Sequence, residues 1–84
     1  MSKYKIVIKK DCEFCTKAIS ELLKRKENIQ LIDVTEDESL RQAHSLLNNN
    51  WPTVPMITYC DGETERFIGG YTDLINEIEQ KEER

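Results

Sequence analysis

The sequence predicts an α/β protein: one mixed four-stranded sheet with helices on both faces, in the order β-α-β-α-β-β-α. Three observations carry this reading. The chain has 84 residues, which suits one domain with a modest core, expected to span residues 1–84. Short β-branched segments alternate with segments whose apolar residues recur at helical spacing. The first half reads strand–helix–strand, whereas the second half contains a strand–turn–strand, so parallel and antiparallel pairs should share one sheet.

The elements follow in order. Tyr4-Lys5-Ile6-Val7-Ile8 is short, β-branched and partly alternating, as a strand is. After the loop Lys9-Lys10-Asp11, apolar residues fall at Cys15, Ala18, Ile19, Leu22 and Leu23, the stripe of an amphipathic helix that should end near Lys26–Asn28. Ile29 to Val34 is a second strand, and its Leu31-Ile32 pair suggests burial on both faces. Thr35-Glu36-Asp37-Glu38 has the form of a capping box opening a second helix with Leu40, Ala43 and Leu47 on one side. Asn48-Asn49-Asn50 should end it, because Asn tolerates left-handed backbone. Val54 to Cys60 is a third strand, Asp61-Gly62 a hairpin turn, and Glu65 to Ile68 the returning fourth strand. Beyond Gly69-Gly70, the residues Tyr71, Leu74, Ile75 and Ile78 form the stripe of a last helix, and the tail after Ile78 reads as a solvated, frayed end.

Composition narrows the function. A net charge of −4 argues against nucleic acid as a partner. No apolar run approaches the roughly 20 residues of a membrane span. The start lacks a signal-peptide apolar region, so a reducing cytoplasm is the expected location. The chain has three cysteines, which cannot all pair internally, and a disulfide scaffold would be out of place there.

Two of the cysteines stand three apart in Cys12-Glu13-Phe14-Cys15. Cys12 falls at the N-cap of the first helix, where free N–H groups favour a thiolate. Cys15 lies on the apolar stripe. An exposed, attacking Cys12 and a shielded, resolving Cys15 are the expected roles. Lys9 and Lys10 favour the anion, whereas Asp11 and Glu13 oppose it. Two other readings are weaker. A chance buried pair conflicts with charged residues on both sides of Cys12. A zinc site needs more ligands, and only Cys60 and His44 remain, without ligand spacing, so no metal is expected. Cys60 reads as a structural thiol, His44 as the edge of an apolar face, and Trp51 as a packing or groove-rim residue.

Two further segments bear on a ligand. Pro55, in Trp51-Pro52-Thr53-Val54-Pro55, belongs at strand entry. Its peptide bond is cis or trans with equal justification from the residues alone. The cis form would leave the Thr53-Val54 backbone free to pair with a peptide-like ligand. Gly69-Gly70-Tyr71-Thr72-Asp73 precedes the last helix. It is either a plain turn with an N-cap at Thr72 or Asp73, or a site for a ligand's carboxylate and amine.

Together these three segments, with Lys9 three residues before Cys12, resemble the glutaredoxins, from Tyr4 to about Ile78. The resemblance implies a thioredoxin fold with sheet order 2-1-3-4 and an enzyme: a glutathione-dependent thiol–disulfide oxidoreductase acting in electron transport and cell redox homeostasis. By the same resemblance, Cys12 forms the mixed disulfide with glutathione and Cys15 resolves protein disulfides. Phe14 lines the groove, Lys9 meets the glycine carboxylate, and the backbone of Val54, before a cis Pro55, pairs with the cysteinyl backbone, with Thr53 and Pro55 counted in the glutathione site. Thr72 and Asp73 bind the γ-glutamyl end, with Gly70 and Tyr71 also in the glutathione site. Glutathione is then the reductant, and disulfide-containing or glutathionylated proteins are the partners, with ribonucleotide reductase a suggested client and a monomer the expected form. Glu13 and Phe14 depart from the proline and tyrosine usual between the cysteines. Two rivals share the motif: a redoxin recycled by thioredoxin reductase, and a dimeric carrier of a [2Fe–2S] cluster.

Overall fold

The computed structural model describes residues 2–82. Four strands, β1 (Lys3–Ile8), β2 (Ile29–Asp33), β3 (Met56–Cys60) and β4 (Glu65–Gly69), form one sheet in the order β2-β1-β3-β4. β1 runs parallel to β2, with Ile6 opposite Leu31, and antiparallel to β3, with Ile6 opposite Ile57. The helices α1 (Glu13–Lys24), α2 (Glu38–Leu47) and α3 (Tyr71–Glu82) complete the expected β-α-β-α-β-β-α order.

Adjacent strand residues face opposite sides, and Ile6 and Val7 divide the core accordingly. On one face Tyr4, Ile6 and Ile57 pack with Ala18 and Leu22 of α1 and Leu74 and Ile78 of α3. On the other face Val7, Val34 and Met56 are buried, with Ile32, Trp51, Val54 and Phe67 against them. α2 lies over this second face: the Ser45 hydroxyl donates to the Trp51 carbonyl at 2.7 Å. His44, Leu47 and Asn48 border a cleft of ≈ 320 Å³ with Val7, Ile32 and Phe67.

Several local expectations are corrected. β2 is an edge strand, so it is not buried on both faces, and Leu31 is 47% exposed. Thr35 does not cap α2. Its N–H and hydroxyl both donate to Asp33 Oδ1, and its oxygen accepts the Lys10 N–H at 2.8 Å. Asp37 is the N-cap instead, accepting the Leu40 N–H at 3.0 Å. The stripe of α2 is not buried: none of its ten residues, all described, is inside the core. Leu23 of α1 is also exposed.

α1 stops before Lys26 because Lys26 turns left-handed (φ 60°). The Lys26 N–H then reaches the Leu23 carbonyl, and the Glu27 N–H reaches the Leu22 carbonyl, a Schellman close. Asn49 and Asn50 take the left-handed turn expected of them, both near φ 60°. β3 begins at Met56 rather than Val54, and the Val54-Pro55 bond at its entrance is cis. Near its end β4 advances two residues against one of β3: Ile57 faces Gly69 and Thr58 faces Phe67, a bulge just before the glycine pair. α3 runs past Ile78 to Glu82 on good helix formers. The rest of the tail read as frayed, residues 83–84, lies outside the described residues.

Candidate active site

Because β1 and β2 are parallel, the loops that follow them emerge at the same edge of the sheet. The entrance to β3, which is antiparallel to β1, and the exit from β4, which is antiparallel to β3 and so runs with β1, lie there too. Four loops thus converge where α1 starts. Asp11, left-handed at φ 58°, turns the chain so that Cys12 takes the N-cap of α1 in extended conformation (φ −110°, ψ 106°). Cys12 Sγ accepts the Cys15 N–H at 3.1 Å, as an N-cap oxygen would. Cys12 and Cys15 form a disulfide, with Cα atoms 5.2 Å apart. Cys15 is 2% exposed, sealed by the core. Cys12 is half-buried rather than freely exposed, because the loop before Pro55 leans over it: its sulfur lies 3.9 Å from the Val54 carbonyl oxygen.

The segments that the sequence singled out meet in one groove, and its Val54 is the residue that reaches this sulfur. Phe14, Thr53, Val54, Pro55, Gly70, Tyr71, Thr72 and Asp73 line a single open groove of ≈ 210 Å³, together with Trp51. The rings of Phe14 and Tyr71 stand 5.9 Å apart at one wall. Phe14 is 54% exposed, so this wall offers an apolar surface to a ligand. Trp51 has both expected roles, packing edge-on against Phe67 at 5.3 Å while bordering the groove.

The two glycines differ in what they require. Gly69 has φ 128°, and a Cβ there would meet the Asp73 carboxylate at 2.5 Å. Gly70 lies beside the indole of Trp51 and the Pro55 carbonyl, and a Cβ there would meet both at 3.8 Å, an ordinary contact distance. The N-cap position of α3 is Gly70, not Thr72 or Asp73. Asp73, in the first turn, reaches back and accepts the Gly70 N–H at 3.0 Å.

Lys9 does not enter this groove. It borders a second hollow of ≈ 470 Å³ with Glu38, Arg41 and Pro52, and Thr53 and Val54 form the ridge shared by both. Arg41 was not singled out by its sequence context. The available signal is topological: parallel β1 and β2 deliver the first turns of α1 and α2 to one edge. Glu38 Oε1 accepts from Arg41 Nε at 2.6 Å. That hydrogen bond, and then the charges of Arg41 and Lys9, hold the Glu38 carboxyl below its usual range. The ridge thus separates a cationic end, with Lys9 and Arg41, from an end formed by the start of α3.

A larger cavity, ≈ 580 Å³, is elsewhere, at the far end of β3, bordered by Cys60, Lys3 and Glu63. Cys60 is a buried free thiol, away from the reactive pair. Among the described residues no helix is long and apolar enough to cross a membrane. Among them also, no three His, Cys, Asp or Glu side chains gather into a metal-holding group.

A redox pair at a helix N-terminus, beside a cis proline on a β2-β1-β3-β4 sheet, defines a thiol–disulfide oxidoreductase of the thioredoxin fold. The glutaredoxin family model matches residues 4–64, and the chain belongs to the glutaredoxin family. That match takes in Cys12, Cys15 and Pro55 and ends before the Gly69–Asp73 segment. No curated protein matches the chain.

Proposed function

We propose that the protein uses glutathione to reduce protein disulfides and glutathione mixed disulfides. The observation that carries the reading is the groove itself: an apolar wall, the start of α3 and a backbone ridge at Val54, which lies beside the Cys12 sulfur, with Lys9 and Arg41 across the ridge. A tripeptide thiol with a charged group at each end suits this arrangement. Its cysteinyl backbone would pair with Val54, its γ-glutamyl end would meet Thr72, Asp73 and the N–H groups of α3, and its glycine carboxylate would meet Lys9 and Arg41.

With a glutathione mixed disulfide, the Cys12 thiolate attacks the glutathionyl sulfur. The Cys12–glutathione disulfide forms, and the substrate leaves as a thiolate that takes up a proton. A second glutathione thiolate attacks that bond, releasing glutathione disulfide and restoring Cys12. With a protein disulfide, Cys12 bonds one substrate sulfur and expels the other. Cys15, as thiolate, then attacks Cys12 and frees the reduced protein. The product is the Cys12–Cys15 disulfide seen here, which two glutathione molecules reduce. A monomer in a reducing cytoplasm is part of this proposal.

The test is a pair of recycling assays with a small glutathione mixed disulfide and a protein disulfide. The expected result is turnover with glutathione and glutathione reductase. Turnover with thioredoxin reductase and none with glutathione would overturn the reading.

A further inference from the structure

The hollow on the α2 side of the Thr53–Val54 ridge contains an anion as well as two cations. Glu38 borders it beside Lys9 and Arg41, and its Oε1 lies 2.5 Å from Arg41 Nη2 as well as within hydrogen-bond reach of Nε. α2 does not need Glu38 to close its first turn, because Asp37 already accepts the Leu40 N–H. The Glu38 side chain is directed at Arg41 instead, three residues along the same helix face. Two cations that would each receive a ligand carboxylate are therefore partly matched by a carboxylate of the protein.

We propose that Glu38 is a specificity-determining residue: it occupies the cationic hollow across the ridge from the groove and disfavours ligands that end there in a free carboxylate, relative to extended polypeptides that continue past it. The inference rests on the glutathione reading above. A tripeptide brings its own negative charge to Lys9 and Arg41 and must compete with Glu38 for them. A polypeptide disulfide presents a neutral peptide bond at that point and meets no such competition. Glu38 is exposed and Lys9 and Arg41 are only half-buried, so the effect is modest, about two- to five-fold in apparent affinity, and it weakens with salt.

The experiment compares wild type with Glu38→Gln on two small mixed disulfides, one of glutathione and one of its glycine amide. The expected result is a KM about two- to five-fold lower for the acid, with kcat held and the amide changed little. The double variant Glu38→Gln/Arg41→Gln should lose the gain, and Glu36→Gln, a charge removed outside the hollow, should show none. Equal changes for acid and amide, or an unaltered KM, would overturn the role of Glu38 alone. A wild type that shows no turnover with glutathione would overturn the parent reading and Glu38 with it.

Discussion

The two faces of the sheet are built differently. The face under α1 and α3 buries seven side chains as one cluster, from Tyr4 to Ile78. The face under α2 buries Val7, Val34 and Met56, all from the sheet and its adjoining loops, while α2 leaves Leu46 71% and Leu47 80% exposed. The reactive sulfurs belong to the first face, since Cys15 sits on the buried stripe of α1. Lys9, Glu38 and Arg41 sit on the α2 side of the ridge. The difference teaches a division of place: a well-buried platform carries the reactive cysteines, and a lightly packed helix carries the charged groups across the ridge.

The sharpest test removes the nucleophile. Cys12→Ser should reduce exchange to background on every disulfide substrate. Cys15→Ser should spare glutathione mixed disulfides yet impair reduction of protein disulfides. Equal loss of both activities in Cys15→Ser would break the assignment of attacker and resolver.

Packing tests come next. Leu22→Ala, in the platform, should cost about 2–5 kcal/mol of stability by denaturant unfolding. Leu47→Ala, on α2, should stay within about 0.5 kcal/mol. Similar losses at the two positions would erase the distinction between the faces.

A smaller effect is set by pH. Burial, with added repulsion from Glu27 and Glu77, pushes the Tyr4 phenol up to about 12 from its ordinary 10. The folded state therefore favours the neutral phenol. That contribution is fully present below pH 10 and is lost as pH rises from 10 towards 12. Tyr4→Phe should flatten the stability profile across this window, and an unchanged alkaline slope would place the titration elsewhere.

The smallest effect compares the first residues of α1 and α2, both glutamates. Glu13 is exposed and already paired with Lys17 at 3.3 Å. Glu13→Gln should raise the thiolate fraction of Cys12 at neutral pH by about two-fold or less, read from thiolate absorbance. A lower fraction would show that Glu13 does not oppose the anion.

Most of the site was legible in the sequence because its parts are local. A cysteine pair at a strand–helix junction, a proline at strand entry and a glycine pair before a helix each constrain backbone within a few residues. Glu38 was visible only as a capping partner. Thr35, its supposed cap, was instead taken up by Asp33 and by the Lys10 N–H of the neighbouring loop, a competition between segments that no local pattern registers.

By itself the sequence determined the element order, the Cys12–Cys15 motif and the residues that would gather around it, since periodicity and turn chemistry act over short stretches of chain. The tertiary structure decided which stripes are covered. A helical wheel says that Leu40, Ala43 and Leu47 share a side, and only the sheet beneath determines whether that side is buried. It also decided between the cis and trans forms of the Val54–Pro55 bond. Finally, it set Arg41 and Glu38 beside Lys9, because parallel pairing of β1 with β2 carries two loops distant in sequence to one edge.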